Sequence, residues 1–283
     1  MSKFIQKTIN TSDHKNYKIN IEYYDSAMEV AKDCDTRPIT NSSFDDKRNE
    51  SYSSWDGIKS YEQALDFLKN GHQETVESMK NQFKANISGQ RKRFSFQNAP
   101  QGFAPIVPLA LKGVPNCMID MQMTQIKAKV LDIYYDMTCS WSTDSNDIIK
   151  AGQKILGAIM ELEAQGYRFN LYAVQSYSGS RDADVLIVKI KSSTQPIDLK
   201  RISFPLCHTG FFRVIGFDWY SKTPNGKYRS GYGRASGYEF KYELKDFAEQ
   251  TFGKNATFFT ATKIIAEDKE YIKGVLTNDK NNK

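Results

Sequence analysis

The sequence predicts an α/β fold, a mostly parallel sheet flanked by helices, with an additional N-terminal helical and extended region. Residues 130–136 form a short, continuous apolar run, as expected of a strand that is covered on both faces. Residues 146–165 repeat apolar side chains at the helical period and end at Gly166. Two strand-like runs follow, at 167–176 and 184–192. The order strand, helix, strand predicts a parallel crossover, and the short turn after the second strand predicts an antiparallel pair.

The composition is that of a globular protein. The chain has 283 residues, of which 40% are hydrophobic, and its 17 Phe, 16 Tyr and 3 Trp suffice for a buried core. Its four cysteines lack paired spacing, which favours reduced thiols over a disulfide or zinc framework. The sequence shows no signal-peptide pattern and no apolar run of membrane-spanning length, so we expect a cytoplasmic protein without membrane contact. The net charge of +6 permits nucleic-acid contact without indicating it.

The first segment, residues 1–53, is polar and rich in Asn, Asp, Ser and Lys. Residues 19–24 could pair as a short strand, and residues 40–52 have the composition of a loop. We interpret the segment as a polar N-terminal arm that orders only against another surface. A flexible tail is the alternative.

The second segment, residues 54–128, is predicted to hold a helical hairpin and a proline-rich apolar stretch. Ser60 and Gln63 have capping-box spacing at the start of the first helix, which stops at Gly71, and residues 73–85 predict the second. Residues 99–118 then combine four prolines with many apolar side chains, and a short helix is expected to begin at Pro108. Because this apolar surface must be covered by the domain or by another subunit, the stretch predicts self-association.

The third segment, residues 129–276, is the predicted α/β domain, and residues 277–283 form a polar tail. Gly152 in its first helix is expected to allow close approach to the sheet. A buried helix is expected to begin at Gly210, another helix at 242–252, a last strand at 256–265 and a short helix at 270–276.

Two cation-rich stretches are candidate contact sites, because both interleave basic and aromatic residues. Cations there can meet phosphates while rings stack on bases, and Tyr with Arg is equally suited to a protein interface. The plain alternatives are a strand with buried phenyl rings and a solvated loop. The candidate residues are Arg91, Lys92, Arg93, Lys222, Lys227, Tyr228, Arg229, Tyr232, Arg234 and Tyr238.

The first predicted strand of the third segment ends in Asp136-Met137-Thr138-Cys139-Ser140. A helix, an antiparallel strand pair and a second helix that begins at Thr209-Gly210 are predicted to follow. This order of elements, together with the motif after the strand, resembles a von Willebrand factor A-type domain. The resemblance covers about residues 129–265 and implies a doubly wound sheet. It also implies a metal site built from an Asp-x-Ser-x-Ser loop, a Thr from a second loop and an Asp from a third. Thr138 replaces the first Ser, and a basic, glycine-rich loop stands where the third loop is expected.

The resemblance directs attention to Asp136, Thr138, Ser140 and Thr209 as metal ligands. Alternate side chains at the carboxyl end of a strand face one crevice, and carboxylate with hydroxyl oxygens suits a hard dication, Mg²⁺ or Mn²⁺. The alternative is that Asp136 only caps its own turn. Cys139 and His208 come from loops expected at the same edge, so a thiolate–imidazole pair is a further hypothesis.

Residues 54–64 and 108–118 are similar to a family of bacteriophage and mobile-element proteins that brings no established activity. Together these features predict a non-catalytic binding protein of phage or mobile-element origin that engages a host or phage macromolecule, as a homo-oligomer, inside the bacterium. A nucleic-acid-binding protein of phage DNA metabolism is the alternative, and a metal- or thiol-dependent enzyme comes third.

Overall fold

A computed structural model of the chain describes residues 3–39, 57–84, 94–123, 130–140, 142–179, 181–223, 225, 240–254 and 256–278. These ranges hold nine strands, six of them in a main sheet and three in a small one. The strands are β1 (Lys3–Ile9), β2 (Tyr17–Tyr24), β3 (Phe94–Ala99), β4 (Ala104–Pro105), β5 (Met118–Met123), β6 (Val130–Asp136), β7 (Arg168–Ser178), β8 (Asp182–Lys191) and β9 (Ala256–Thr260).

The helices surround the main sheet, apart from α4, which lies beside the small sheet. They are α1 (Ala27–Thr36), α2 (Tyr61–Asn70), α3 (Gln73–Lys84), α4 (Val107–Leu111), α5 (Ser145–Ala164), α6 (Leu199–Cys207), a π-helical segment (Phe211–Gly216) that continues into α7 (Phe217–Ser221), α8 (Leu244–Phe252), α9 (Ala261–Ala266) and α10 (Lys269–Asn278). Within the described ranges, no helix combines the length and apolar character that crossing a membrane requires.

The main sheet has the strand order β1-β2-β8-β7-β6-β9. The pairs β6–β7, β6–β9 and β2–β8 are parallel, whereas β7–β8 and β1–β2 are antiparallel. Helix α5 makes the crossover from β6 to β7, and the side chain of Asp144 caps it by accepting from the backbone N–H of Asn146. The α/β fold with a mostly parallel, helix-flanked sheet is therefore confirmed, together with the antiparallel pair that follows the crossover.

Both faces of the sheet are packed. Ile133 of β6 is fully buried in the larger core, among helices α5, α6 and the π-helical segment. On the opposite face Tyr134 stacks on Tyr172 and on Phe252, each with ring centroids 4.5 Å apart. A smaller core on that face gathers β1, β2, β7 and β8 against Phe247 of α8. Burial on both faces explains why bulky apolar residues dominate the β6 sequence.

The N-terminal segment differs from the predicted arm, because β1 and β2 extend the main sheet beyond β8. Glu22 of β2 is 7% exposed, and its carboxylate accepts hydrogen bonds from Trp219 Nε1 (3.0 Å) and the Tyr24 hydroxyl (2.9 Å) and pairs with Arg37 (2.8 Å). The surface that orders residues 3–39 is thus the α/β domain itself. The polar composition had predicted an arm that orders only against another surface, and Glu22 contributes to that contact through a buried polar network.

Three local predictions are corrected. Gly152 allows close approach to α6 rather than to the sheet, because a Cβ there would lie 2.3 Å from the Leu206 carbonyl oxygen. The last strand ends at Thr260, whose side chain caps helix α9. Helix α10 continues through Asn278 and so includes the first two residues of the predicted polar tail.

Candidate binding sites at the sheet edge and on the small lobe

The end of β6 carries a buried carboxylate held by donors from two strands. Asp136 is 1% exposed, and its Oδ1 accepts from the Thr138 backbone N–H (2.9 Å) and hydroxyl (2.5 Å). Its Oδ2 accepts from the hydroxyl of Ser176 in β7, and the Thr138 hydroxyl accepts from the Ser176 N–H (3.3 Å). The parallel pairing of β6 and β7 creates this arrangement, since it brings the carboxyl ends of both strands to the same edge.

The four predicted metal ligands are not all in this group. Asp136 and Thr138 are joined directly, whereas Ser140 is exposed and its hydroxyl bonds the hydroxyl of Ser142 (3.0 Å). Thr209 is buried where α6 gives way to the next helix. Among the described residues, no group of three or more His, Cys, Asp or Glu is placed to hold a metal ion. The Asp136 carboxylate and the neighbouring hydroxyl groups are oxygen ligands of the kind that a hard dication takes. Together they supply one negative charge, that of Asp136.

Strand β9 ends at the same edge of the sheet, because it pairs with β6 so that Asp136 is opposite Thr260. The Thr260 hydroxyl accepts from the Lys263 N–H (3.4 Å) and caps α9. The end of β9 therefore places a hydroxyl group, rather than a carboxylate, opposite Asp136.

Cys139 and His208 lie in different surroundings. Burial and the nearby Asp136 carboxylate raise the pKa of the Cys139 thiol to about 12, so the nucleophilic thiolate is scarce at neutral pH. His208 Nδ1 accepts from the Gly210 N–H (3.0 Å), its ring lies 4.5 Å from that of His72, and burial lowers its pKa to about 3. These pKa shifts oppose the predicted thiolate–imidazole pair, because they keep the thiol protonated and make the imidazole a weak base.

Lys222 is not an exposed contact residue, which corrects its assignment to the basic loop. Its side chain is 3% exposed, and its ammonium pairs with Asp218 (2.7 Å) and donates to the carbonyl of Cys34 (2.6 Å). Lys222 lies four residues after Asp218, which is the spacing at which opposite charges meet on a helix, and Asp218 is buried as well. The other cation-rich candidates lie outside the described residues and stay predictions: Arg91, Lys92, Arg93, Lys227, Tyr228, Arg229, Tyr232, Arg234 and Tyr238.

The small lobe, residues 94–123, consists of the antiparallel sheet β3-β5-β4 and the short helix α4. The register places Phe96 opposite Met121 on one face and Gln97 opposite Asp120 on the other face, where the apolar pair of Ala99 and Met118 follows. Gly102 allows the turn before β4 to cross β5, because a Cβ there would lie 2.1 Å from the Ile119 carbonyl oxygen. That turn brings the Phe103 ring within 6.2 Å of the Phe96 ring.

Five side chains define what we name the apolar face of the lobe: Phe96, Phe103, Ile106, Ile119 and Met121. Four of them line a groove of about 360 Å³ together with Gln97 and Asn98, and Met121 pairs with Phe96 across the strands. Phe96 is 62% and Phe103 66% exposed. The sequence had allowed a strand with buried phenyl rings here, and the exposure of Phe96 contradicts that alternative. The alternation of β3 and β5 was the signal for this face.

The fold and these sites define a mixed α/β protein that carries a mostly parallel six-stranded sheet and a small antiparallel lobe. The chain belongs to the family described as Domain of unknown function (DUF7192), whose model matches residues 7–268. The match extends from β1 to the residues after α9, so sheet and lobe are parts of one family domain. Comparisons with curated proteins and with solved structures give no match.

Proposed function

We propose that the protein is a non-catalytic binding protein of phage or mobile-element origin that engages a host or phage protein in the bacterial cytoplasm and self-associates. The observation that carries this proposal is the apolar face of the lobe. It presents two phenyl rings and a methionine side chain to solvent. Contiguous exposed apolar surface of this kind marks protein contact sites, and Phe and Met are enriched in them.

Helix α4 enlarges the exposed surface beside this face. Val107 is 58% and Leu111 84% exposed. Single exposed apolar residues need no explanation, but five neighbouring side chains and an adjacent apolar helix in one short segment do. Contact with another protein removes this surface from water, at about 25 cal/mol for each Å² buried.

The protonation states of the sheet edge favour binding over nucleophilic catalysis. A thiol with a pKa of about 12 and an imidazole with a pKa of about 3 are both neutral at pH 7. Cys139 is thus poorly nucleophilic, and His208 already uses Nδ1 to accept a backbone hydrogen bond.

For the main domain we propose a von Willebrand A-like scaffold. The strand order β8-β7-β6-β9 with an antiparallel β8, the Asp136-x-Thr138 loop after β6 and the helix that follows Thr209 support it. Strands β1 and β2 beyond β8 are an addition to that pattern. Mg²⁺ or Mn²⁺ at Asp136 and Thr138 belongs to the same proposal.

Affinity capture from phage-infected bacteria, with three baits, tests the binding function. The baits are the unaltered chain, the double variant Phe96→Ser/Phe103→Ser and the matched control Phe4→Ser, whose phenyl ring is 60% exposed on β1. The proposal expects one defined protein, either a second copy of this chain or a different phage or host protein, to be retained by the first and third baits and lost with the second. Retention by all three baits, or by none, contradicts it.

A further inference from the structure

The small lobe has no interior of its own. From Phe96 to Met121, a stretch that the structure describes throughout, no residue is buried. A three-stranded sheet needs a packed apolar face to be stable in water. We propose that a second copy of this chain covers the apolar face, so that two lobes pack face to face in a closed dimer. This inference rests on the proposed binding function and identifies the occupant of that site.

The absence of charge on the apolar face favours a second copy as the occupant. None of the six residues that line the groove carries a charge, whereas the chain as a whole has a net charge of +6. Two such chains repel each other over most of their surface, and a face without cations is where they meet at the least electrostatic cost. A nucleic acid or an acidic protein would instead be expected to meet cations in the contact surface.

The symmetry of a contact between identical faces limits the assembly to two copies. The two phenyl rings lie together on one face of the lobe, so a second copy can present the same rings to them. When the same patch serves both partners, the contact is isologous and closes after two chains. A ring or a filament would require a second, different patch that complements the first.

The exposed area is sufficient for a specific dimer. Each phenyl ring offers about 100 Å² or more at its observed exposure, since a buried Phe removes roughly 150–250 Å². With Met121, Val107 and Leu111 added, about 600 Å² per copy, or roughly 1,200 Å² in total, is available, which lies at the low end for specific complexes. We therefore expect a reversible dimer whose dissociation constant can be measured at micromolar concentrations.

Sedimentation equilibrium of the full chain tests this proposal. The unaltered protein should behave as monomer and dimer, with a dissociation constant that falls between about 0.05 and 0.5 M salt, because salt screens the repulsion between two chains of equal net charge. Phe96→Ser/Phe103→Ser should raise the dissociation constant at least about 100-fold, as expected for central aromatic anchors. The control Phe4→Ser removes a ring of equal exposure from the β1 edge and should leave it unchanged. Loss of the dimer in the control alone would place the contact at β1 and overturn the proposal.

Thiol labelling separates failure of the dimer from failure of the binding surface. A Met121→Cys variant, in a Cys117→Ser background, should react with a maleimide when dilute and become protected as dimer forms. A monomer that stays reactive at every concentration overturns the dimer and leaves the face free for another protein. A monomer that is protected at every concentration shows that this chain covers the face itself, and overturns both proposals. Species larger than two chains overturn the closed arrangement.

Discussion

Replacing Lys222 with methionine should cost the protein about 3–5 kcal/mol of unfolding free energy, although the surrounding sequence has the composition of an exposed loop. The ammonium lies 2.7 Å from Asp218 Oδ1 and 2.6 Å from the Cys34 carbonyl oxygen, and its side chain is 3% exposed. Methionine fills a similar volume, so packing is largely kept. What is lost is the cation beside a carboxylate that is itself 8% exposed.

The magnitude follows from the difference between buried and exposed ion pairs. Removing one partner of a buried pair leaves the other charge in a medium of low dielectric constant, and the Tyr61 hydroxyl, 3.2 Å from Asp218 Oδ2, is a neutral donor that compensates only in part. The same i,i+4 spacing occurs at Lys245 and Glu249, but there the lysine side chain is 83% exposed and the two charges lie 3.8 Å apart. Exposed pairs of this kind contribute about 0.3–0.5 kcal/mol.

Urea unfolding of Lys222→Met and of the matched control Lys245→Met, followed by circular dichroism, provides the measurement. We expect a large fall in the midpoint for the first variant and a change within about 0.5 kcal/mol for the second. The double variant Lys222→Met/Asp218→Asn should recover part of the loss, because it removes the isolated charge. Equal small effects at Lys222 and Lys245 would refute the buried pair and return Lys222 to an exposed loop.

Three other predictions concern the core and the sheet edge. Gly152→Ala should destabilise the protein by about 2 kcal/mol in urea unfolding, because the new Cβ would lie 2.3 Å from the Leu206 carbonyl oxygen. This cost outweighs the better helix propensity of alanine. A stabilised variant would contradict the close contact of α5 with α6. Burial lowers the pKa of His208 to about 3, below its value of about 6.5 in the unfolded chain, so protons favour the unfolded state and stability should fall between about pH 6.5 and 3. Between pH 7 and pH 5 the free energy of unfolding of the unaltered protein should fall by about 2 kcal/mol because of this residue, and His208→Gln should show a smaller pH dependence. A free energy of unfolding that does not change with pH would contradict the burial of His208. Mg²⁺ or Mn²⁺ should raise the melting temperature of the unaltered chain and not that of Asp136→Ala, and identical melting curves with and without the ion would remove the cation from the proposal.

The central architecture could be predicted from the sequence because local patterns encode it. The continuous apolar run at β6 and the helical period of α5 each require only short windows of sequence. The capping box of Ser60 and Gln63 was also visible in a short window, and half of it is present: the Ser60 hydroxyl accepts from the Gln63 backbone N–H (3.2 Å). The Gln63 side chain, however, accepts from the backbone N–H of Lys59 rather than from that of Ser60.

What the sequence could not reveal depends on pairs of residues that are distant along the chain. Glu22 and Trp219 are 197 positions apart, and their hydrogen bond joins the strand at residues 17–24 to helix α7. The Ser176 hydroxyl donates a hydrogen bond to the carboxylate of Asp136, which lies 40 positions earlier in the chain. A serine near the end of an apolar strand gives no local indication of such a contact. For Lys222 a signal existed in its i,i+4 spacing from Asp218, but the glycine-rich composition of the following residues outweighed it.

The central claim is that the lobe obtains its interior from a second chain, and hydrogen exchange at different protein concentrations tests it most directly. Amide protection in residues 94–123 should rise as the concentration is increased through the dissociation constant, while protection in β6 and β7 stays the same. Protection of the lobe that is independent of concentration, in the same samples, would contradict the claim.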